Sequence, residues 1–428
     1  MEVKMLKKLT AILLISAMVL SGLFAAGAKE EAAPSGPVSI KIATWTSNQS
    51  QLDLLGSFVK EFAEKEGIEI DVTFESIAFA EYNTKLSLEL QGSDAPDVFW
   101  VLETSAPAFI QSGLLAELDS AMAEYDPDDF SKPAMQLWQK GGKTYAVPFS
   151  TSPFFVIYNE DLFRAAGLET PAELSAKGEW NWEAFRTSSK KIKDATGIYG
   201  YQTVDGGGYN ERILHNLCPI IRSYGADVWT ADGKILINSP EAVAAVQLFH
   251  DMLYKDGSVV PPGDQSDFFS GNAAMTVGQV SRVSKLSSAS FAWGIAPMPA
   301  GPEGDVPVIG QAAIGAFSKG KNVEIAKKLV AYMTNEECVK RIAGIWPPAR
   351  KSVLESEDFL SSNAAVKPEQ MAAAVAASIK TGKVLPSHVQ YPQIEVESKI
   401  VWDRLWKADA DVKAVLDDVA KVYAKYIK

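Results

Sequence analysis

The sequence predicts an α/β fold built on a mostly parallel sheet with helices on both faces, and three observations predict it. Strand-like and helix-like segments alternate from residue 38 onward. The chain has 428 residues, 47% of them hydrophobic and 22% charged, enough apolar material for a large core shared among two or three domains. Two extended stretches containing prolines, Tyr145 to Tyr158 and Phe291 to Pro307, read as connections rather than central strands.

Residues 1–28 open with Lys4, Lys7 and Lys8, continue as the apolar run Leu9 to Leu20 and end at Ala26-Gly27-Ala28. That is the pattern of a secretory signal peptide, with cleavage expected after Ala28, and the apolar run is too short to span a bilayer. Residues 29–37 (KEEAAPSGP) are charged, small and proline-bearing, and are expected to form a disordered leader.

Val38 to Ala43 alternates as a strand, Leu52 to Glu66 places Leu52, Leu55, Phe58, Val59 and Phe62 at helical spacing, and Ile68 to Phe74 is again strand-like, a β-α-β opening. Tyr82 to Leu90 continues as a helix, and Gly92 to Pro96 breaks it before the buried run Asp97 to Val101. Trp182 to Asp194 and Pro240 to Tyr254 are helical by period, the second introduced by Asn238-Ser239 and a first-turn proline. Val323 to Met333 and Glu336 to Ile342 are helices, and the chain from Pro368 onward is helix-rich.

Forty-one Lys and Arg against 53 Asp and Glu give a net charge of −12 with no basic cluster, so nucleic acid is not expected as a partner. Cys218 and Cys338 form no CxxC, and the histidines are His215, His250 and His388. No metal site and no cofactor are expected, and whether the two cysteines pair stays open.

The order of several motifs resembles bacterial extracellular solute-binding protein family 1, the maltose-binding-protein-like group that serves ATP-driven (ABC) importers. The most specific piece is Lys143-Thr144-Tyr145-Ala146-Val147-Pro148 followed by Ile157-Tyr158-Asn159-Glu160-Asp161-Leu162-Phe163 and Ala166-Gly167-Leu168. Supporting it are Pro96-Asp97-Val98, Gly113 to Leu118, Phe269 to Met275 and Gly294 to Pro299. The resemblance implies the type II periplasmic-binding-protein fold: two doubly wound α/β lobes joined by three hinge crossovers, near Phe149 to Thr151, Ala296 to Pro299 and Ile345 to Pro348. Lobe I would hold residues 38–150 and 299–345, lobe II residues 151–298 and 346–428. The implied function is to bind a sugar or oligosaccharide in the cleft and deliver it to a membrane permease, without catalysis. No cysteine sits near the cleavage point to carry a lipid anchor, so a freely diffusing, monomeric periplasmic protein is expected.

A sugar offers apolar ring faces and a belt of hydroxyls, so its site needs aromatic platforms beside amides, carboxylates or guanidinium groups. Trp45, Ser47 and Asn48 follow the first strand, serving either as a cleft loop or as a helix cap over a core tryptophan. Trp100 and Glu103 end the strand after Pro96-Asp97-Val98, and Phe149 lies at the first crossover. Gln279 and Gln311 each follow a glycine where the family's clefts are lined, either as contacts or as exposed polar structure. Trp346 and Arg350 flank the prolines of the third crossover, and Tyr209 sits in the glycine-rich turn Asp205 to Asn210. That turn lacks the spacing of a phosphate cradle.

Two other readings compete. A glycoside hydrolase would need two carboxylates about 5 to 10 Å apart, for which Glu103 with Asp205 or Glu211 are the available pairs. Alternatively, the same fold would take a peptide, polyamine or other non-sugar solute.

Overall fold

The computed structural model describes residues 36–428 apart from 131, 204–208, 210, 211, 231 and 355. The expected signal peptide, the leader up to residue 35, Asp205, Glu211 and most of the glycine-rich turn lie outside the described residues. Among the described residues no helix is long and apolar enough to cross a membrane.

The β-α-β opening forms as expected. Strand β1 (Val38–Thr44) pairs in parallel with β2 (Ile70–Ser76), Val38 opposite Ile70, and helix α1 (Gln49–Glu66) connects them. The apolar stripe of α1 is buried, the Asn48 side chain accepts a hydrogen bond from the Gln51 N–H at its start, and Gly67 ends it in the left-handed region at φ 67°. Strand β3 (Val98–Leu102) lies parallel to β1 on its other side.

The remaining strands are β4 (Gln139–Lys140), β5 (Lys143–Thr144), β6 (Val147–Pro153), β7 (Phe155–Asn159), β8 (Met275–Gly278), β9 (Trp293–Ala296), β10 (Val308–Ala316) and β11 (Lys383–Val384). The larger sheet has the order β11-β10-β3-β1-β2, with β6 also paired to β10, and β10 runs antiparallel to both β3 and β6. A second sheet, β8-β7-β9, is antiparallel at both pairings. The expected parallel arrangement therefore holds across β2-β1-β3 and gives way where the chain returns from an excursion.

Two large apolar cores lie on either side of the β6–β10 pair. Val147, Phe149, Ala312 and Ile314 pack into the core that contains β1 and β3, whereas Phe154 and Val308 pack into the other. Pro148 and Pro153 sit inside a strand after all, because β6 has a strand partner, β10, on one side only and a missing N–H toward the other side breaks no ladder. The second passage between cores comes later than the prolines suggest. Strand β9 pairs with β7, the Trp182 N–H donates to the Ala300 carbonyl and the Glu303 N–H to the Ser223 carbonyl, so the chain crosses only along β10 from Val308. At the third passage Trp346 and Ala349 join the first core, and the Thr151 N–H donates to the Pro347 carbonyl at 2.5 Å.

Cys218 and Cys338 are both free; they lie in different cores, and burial pushes each thiol up to about 12. Arg350 is 5% exposed and its guanidinium is taken up by protein partners. Its Nη1 meets Asp129 at 2.6 Å, its Nε donates to the Thr334 carbonyl at 3.0 Å, and the guanidinium lies 4.6 and 4.4 Å from the rings of Tyr125 and Phe130. Removing one member of a buried ion pair leaves the other charge uncompensated. Arg350→Met is expected to cost about 3 kcal/mol in urea unfolding while leaving solute affinity unchanged, whereas a selective loss of affinity would return Arg350 to the binding site.

Candidate functional site

The carboxyl ends of β1 and β3 and the middle of the β6–β10 pair face two helices, Ile213–Ser223 and Tyr391–Trp402, across a cleft. Open α/β sheets place ligand sites at this edge because loops leave the strands there with their polar groups free to point outward. The cleft holds two adjoining chambers that share Phe79, Leu102, Glu103, Arg212 and His215. The inner one is further lined by Trp45, Ser150, Ser152, Gln279, Gln311 and Trp346. The outer one adds Asn83, Thr104, Tyr391, Ile394, Glu395 and Lys399.

The aromatic side of the inner chamber is two rings deep. Trp45 and Trp346 face the cavity, and Trp100 lies behind both, 4.6 Å and 5.3 Å from them with edge-to-face geometry. Phe149 packs behind Trp100 at 4.7 Å with its ring tilted, and the single Tyr82 hydroxyl proton is shared between the carbonyls of Ala43 and Trp100, 3.1 and 2.9 Å away. Trp100 and Phe149, both expected to touch ligand, instead form the backing that fixes the facing rings; they are 1% and 4% exposed.

The polar groups divide in the same way. Gln279 donates from Nε2 to the Ser152 carbonyl at 2.8 Å, and the missing Cβ of Gly310 leaves room for that amide, which a larger residue would displace. Gln311 lines the chamber, but its amide is engaged by protein: Oε1 accepts from Trp138 Nε1 at 3.2 Å, and Nε2 donates to the Ala134 carbonyl at 3.0 Å. Ser152 Oγ in the inner chamber and Asn83 Oδ1 in the outer are shielded from solvent and have no hydrogen-bond partner among the described residues.

Other expected residues lie elsewhere. Asn48 is the cap of α1, and Ser47 is exposed and lines neither chamber. Tyr209 is 7% exposed, donates its hydroxyl to the Val260 carbonyl and packs against Trp406, so it is core rather than cleft edge. Trp45, Glu103, Gln279, Gln311 and Trp346 do converge on one cavity.

Sequence reasoning missed Phe79, Arg212, His215 and the helix Tyr391–Trp402. Phe79 follows β2 as Trp45 follows β1, so the rule that found one would have found the other. The Arg212 guanidinium lies 4.6 Å over the Phe79 ring, joining the two walls. His215 packs edge-on against Phe154 at 5.1 Å, and burial, reinforced by the Arg212 charge, holds its imidazole well below the usual histidine range.

Two α/β bodies facing each other across such a cleft, with β10 returning antiparallel into the first sheet, define a two-lobed binding protein of the type II, maltose-binding-protein-like fold. Residues 48–338 match the model of the bacterial extracellular solute-binding protein family, and the chain belongs to that family. It is 25% identical over 347 residues to the maltodextrin-binding protein MdxE of Bacillus subtilis (strain 168), covering 78% of each chain. It is 23% identical over 344 residues to the arabinooligosaccharide-binding protein of Halalkalibacterium halodurans, covering 74% of this chain and 73% of that one. Among solved structures, an ABC substrate-binding protein of Listeria monocytogenes in complex with cycloalternan superposes with a TM-score of 0.79 at 23% identity, over 91% of this chain and 99% of that one.

Glu103 is 4% exposed, and burial pushes its carboxyl up to about 7, against the opposing pull of its own backbone N–H and Arg212. The folded protein thus holds this proton more tightly than an exposed glutamate at 4.5 does, so the stabilisation is full below about 4.5 and lost as pH rises through 7. Glu103→Gln is expected to raise the melting temperature at pH 8, by up to roughly 3 kcal/mol of stability, and to change it little at pH 5. Equal effects at the two pH values in calorimetry would rule out the buried acid.

Proposed function

We propose that this chain is the exported, non-catalytic component of an ATP-driven importer, holding a sugar or oligosaccharide between two lobes and delivering it to a membrane permease. On this reading it works as a periplasmic monomer, freed by cleavage near Ala28. Lobe I comprises residues 38–150 and 299–345, except that 299–307 keep company with the second core; lobe II comprises 151–298 and 346–428, with Trp346 to Arg350 held against the first. The observation that carries the proposal is the inner chamber. It sets two aromatic rings, Trp45 and Trp346, beside hydroxyl, amide and carboxyl groups from Ser150, Ser152, Gln279 and Glu103. Apolar ring faces and directional hydroxyl partners are the two things a sugar requires. The maltodextrin- and arabinooligosaccharide-binding relatives support the same ligand class.

A ligand that bridges both walls stabilises the closed arrangement, which is how such a protein reports its load to a partner. The test is a thermal-shift screen against mono- and oligosaccharides, amino acids and polyamines, with product analysis of every hit. A saccharide is expected to raise the melting temperature unchanged in composition, and Trp45→Ala to weaken its binding by about tenfold or more in calorimetric titration. Hydrolysed sugar, or a shift from amines alone, would overturn the proposal.

A further inference from the structure

Glu103 stands where the two chambers meet and is the acidic side chain common to both. The first wall holds it by the backbone, since it follows β3 and its N–H donates to the Gln311 carbonyl at 3.2 Å. Its neighbours on that side, Trp45, Ser150, Ser152 and Gln311, carry no charge. The titratable groups that face it are therefore those of the opposite wall: Arg212 and His215, then Tyr391, Glu395 and Lys399 of the helix Tyr391–Trp402, and Tyr423.

None of them pairs with it. Arg212 lies over the Phe79 ring at 4.6 Å and acts on the carboxyl only through space. Burial keeps His215 neutral, and it keeps the phenols of Tyr391 and Tyr423 protonated. Lys399 acts on Glu395, one helical turn before it, whose carboxyl burial raises. Glu103 is 4% exposed, and among the described residues no side chain answers its carboxyl, which is met only by backbone groups of Glu103 and Gln311. A carboxyl covered without a partner ion is less costly to bury neutral than charged.

The cover over Glu103 is the far side of a cleft between two bodies, so parting them admits water to the carboxyl. Resting on the binding reading above, we propose that closing the cleft takes up a proton at Glu103, so that the protein holds its solute more tightly in acid than at neutral pH. A conformation that binds the proton more tightly is in turn favoured by the proton. Burial under the closed wall pushes this carboxyl up to about 7, against 4.5 when water surrounds it. The gain in closure is therefore full below about 4.5, declines as pH rises and is gone above about 7.

The test is calorimetric titration at pH 5 and pH 8 with glucose, maltose, maltotriose, arabinose and arabinotriose. A saccharide that binds is expected to bind about tenfold or more tighter at pH 5. At pH 6, titration in two buffers of different ionisation enthalpy is expected to show protons taken up as solute binds. Glu103→Gln cannot ionise and is expected to bind equally at both pH values with no proton uptake, whereas Glu395→Gln is expected to keep most of the wild-type pH dependence. The wild-type proton uptake is read independently of how either variant folds. Affinity that is equal at the two pH values or greater at pH 8, or a pH dependence retained in folded Glu103→Gln, overturns this inference and leaves the sugar reading standing. No binding by any of these saccharides at either pH overturns both.

Discussion

Everything in the molecule is arranged around the antiparallel pairing of β6 with β10. Its register runs from Ile309 opposite Pro153 to Ile314 opposite Val147, with an irregularity between Ala312 and Ala313, and every residue of β6 is buried. One end of this two-stranded element is anchored in each apolar core, so it connects the bodies and floors the cleft with the same atoms. Ser150, Ser152, Gly310 and Gln311 can line the inner chamber only because they are mid-strand residues here, fixed by ladder hydrogen bonds rather than carried on a loop. That rigidity explains why the Gln311 amide is spent on Trp138 and Ala134: a fully buried amide in a strand must find internal partners.

The aromatic wall follows from the same placement. Trp100 is on β3, next to β10, and its ring is held between Trp45 from the β1 loop and Trp346 from the third passage. Edge-to-face contacts of this kind favour one ring orientation as well as bury area, which supports the two facing tryptophans from behind. Glu103 comes one residue beyond the same strand, with its N–H donating to the Gln311 carbonyl at 3.2 Å. A carboxyl held there cannot swing to solvent, which is why it sits in the cleft wall and why burial dominates its titration.

Much of this was legible in the sequence, and the portions that were not have a common cause. The helices Pro240–Tyr254, Val323–Met333 and Glu336–Ile342 begin and end where the sequence pattern places them, the first behind the cap of Ser239. Asn159 caps its helix as its position after a strand implies. The cleft residues recognised in advance, Trp45, Glu103, Gln279 and Trp346, are those that follow a strand or a crossover. What local pattern could not reveal was which polar group is answered from a distance: Arg350 looked like a free guanidinium until Asp129, far away in sequence, occupied it. Tyr209 likewise gives its hydroxyl to Val260, and the helix Tyr391–Trp402 reaches the cleft through packing alone.

The balance between open and closed bodies then turns on the few groups that bridge the cleft. The β6–β10 hydrogen bonds are internal to the ribbon and change little when it twists, so they favour neither state. Across the cleft, Arg212 over Phe79 is worth about 0.5–1 kcal/mol at so exposed a site. Covering Glu103 acts the other way at neutral pH, since a charged carboxyl resists desolvation. A ligand that touches both walls favours closure, each tenfold preference for the closed state shifting the equilibrium by about 1.4 kcal/mol. A cleft built mainly of rigid rings and pre-bonded amides suits that role, because little of the binding energy is lost in ordering the protein.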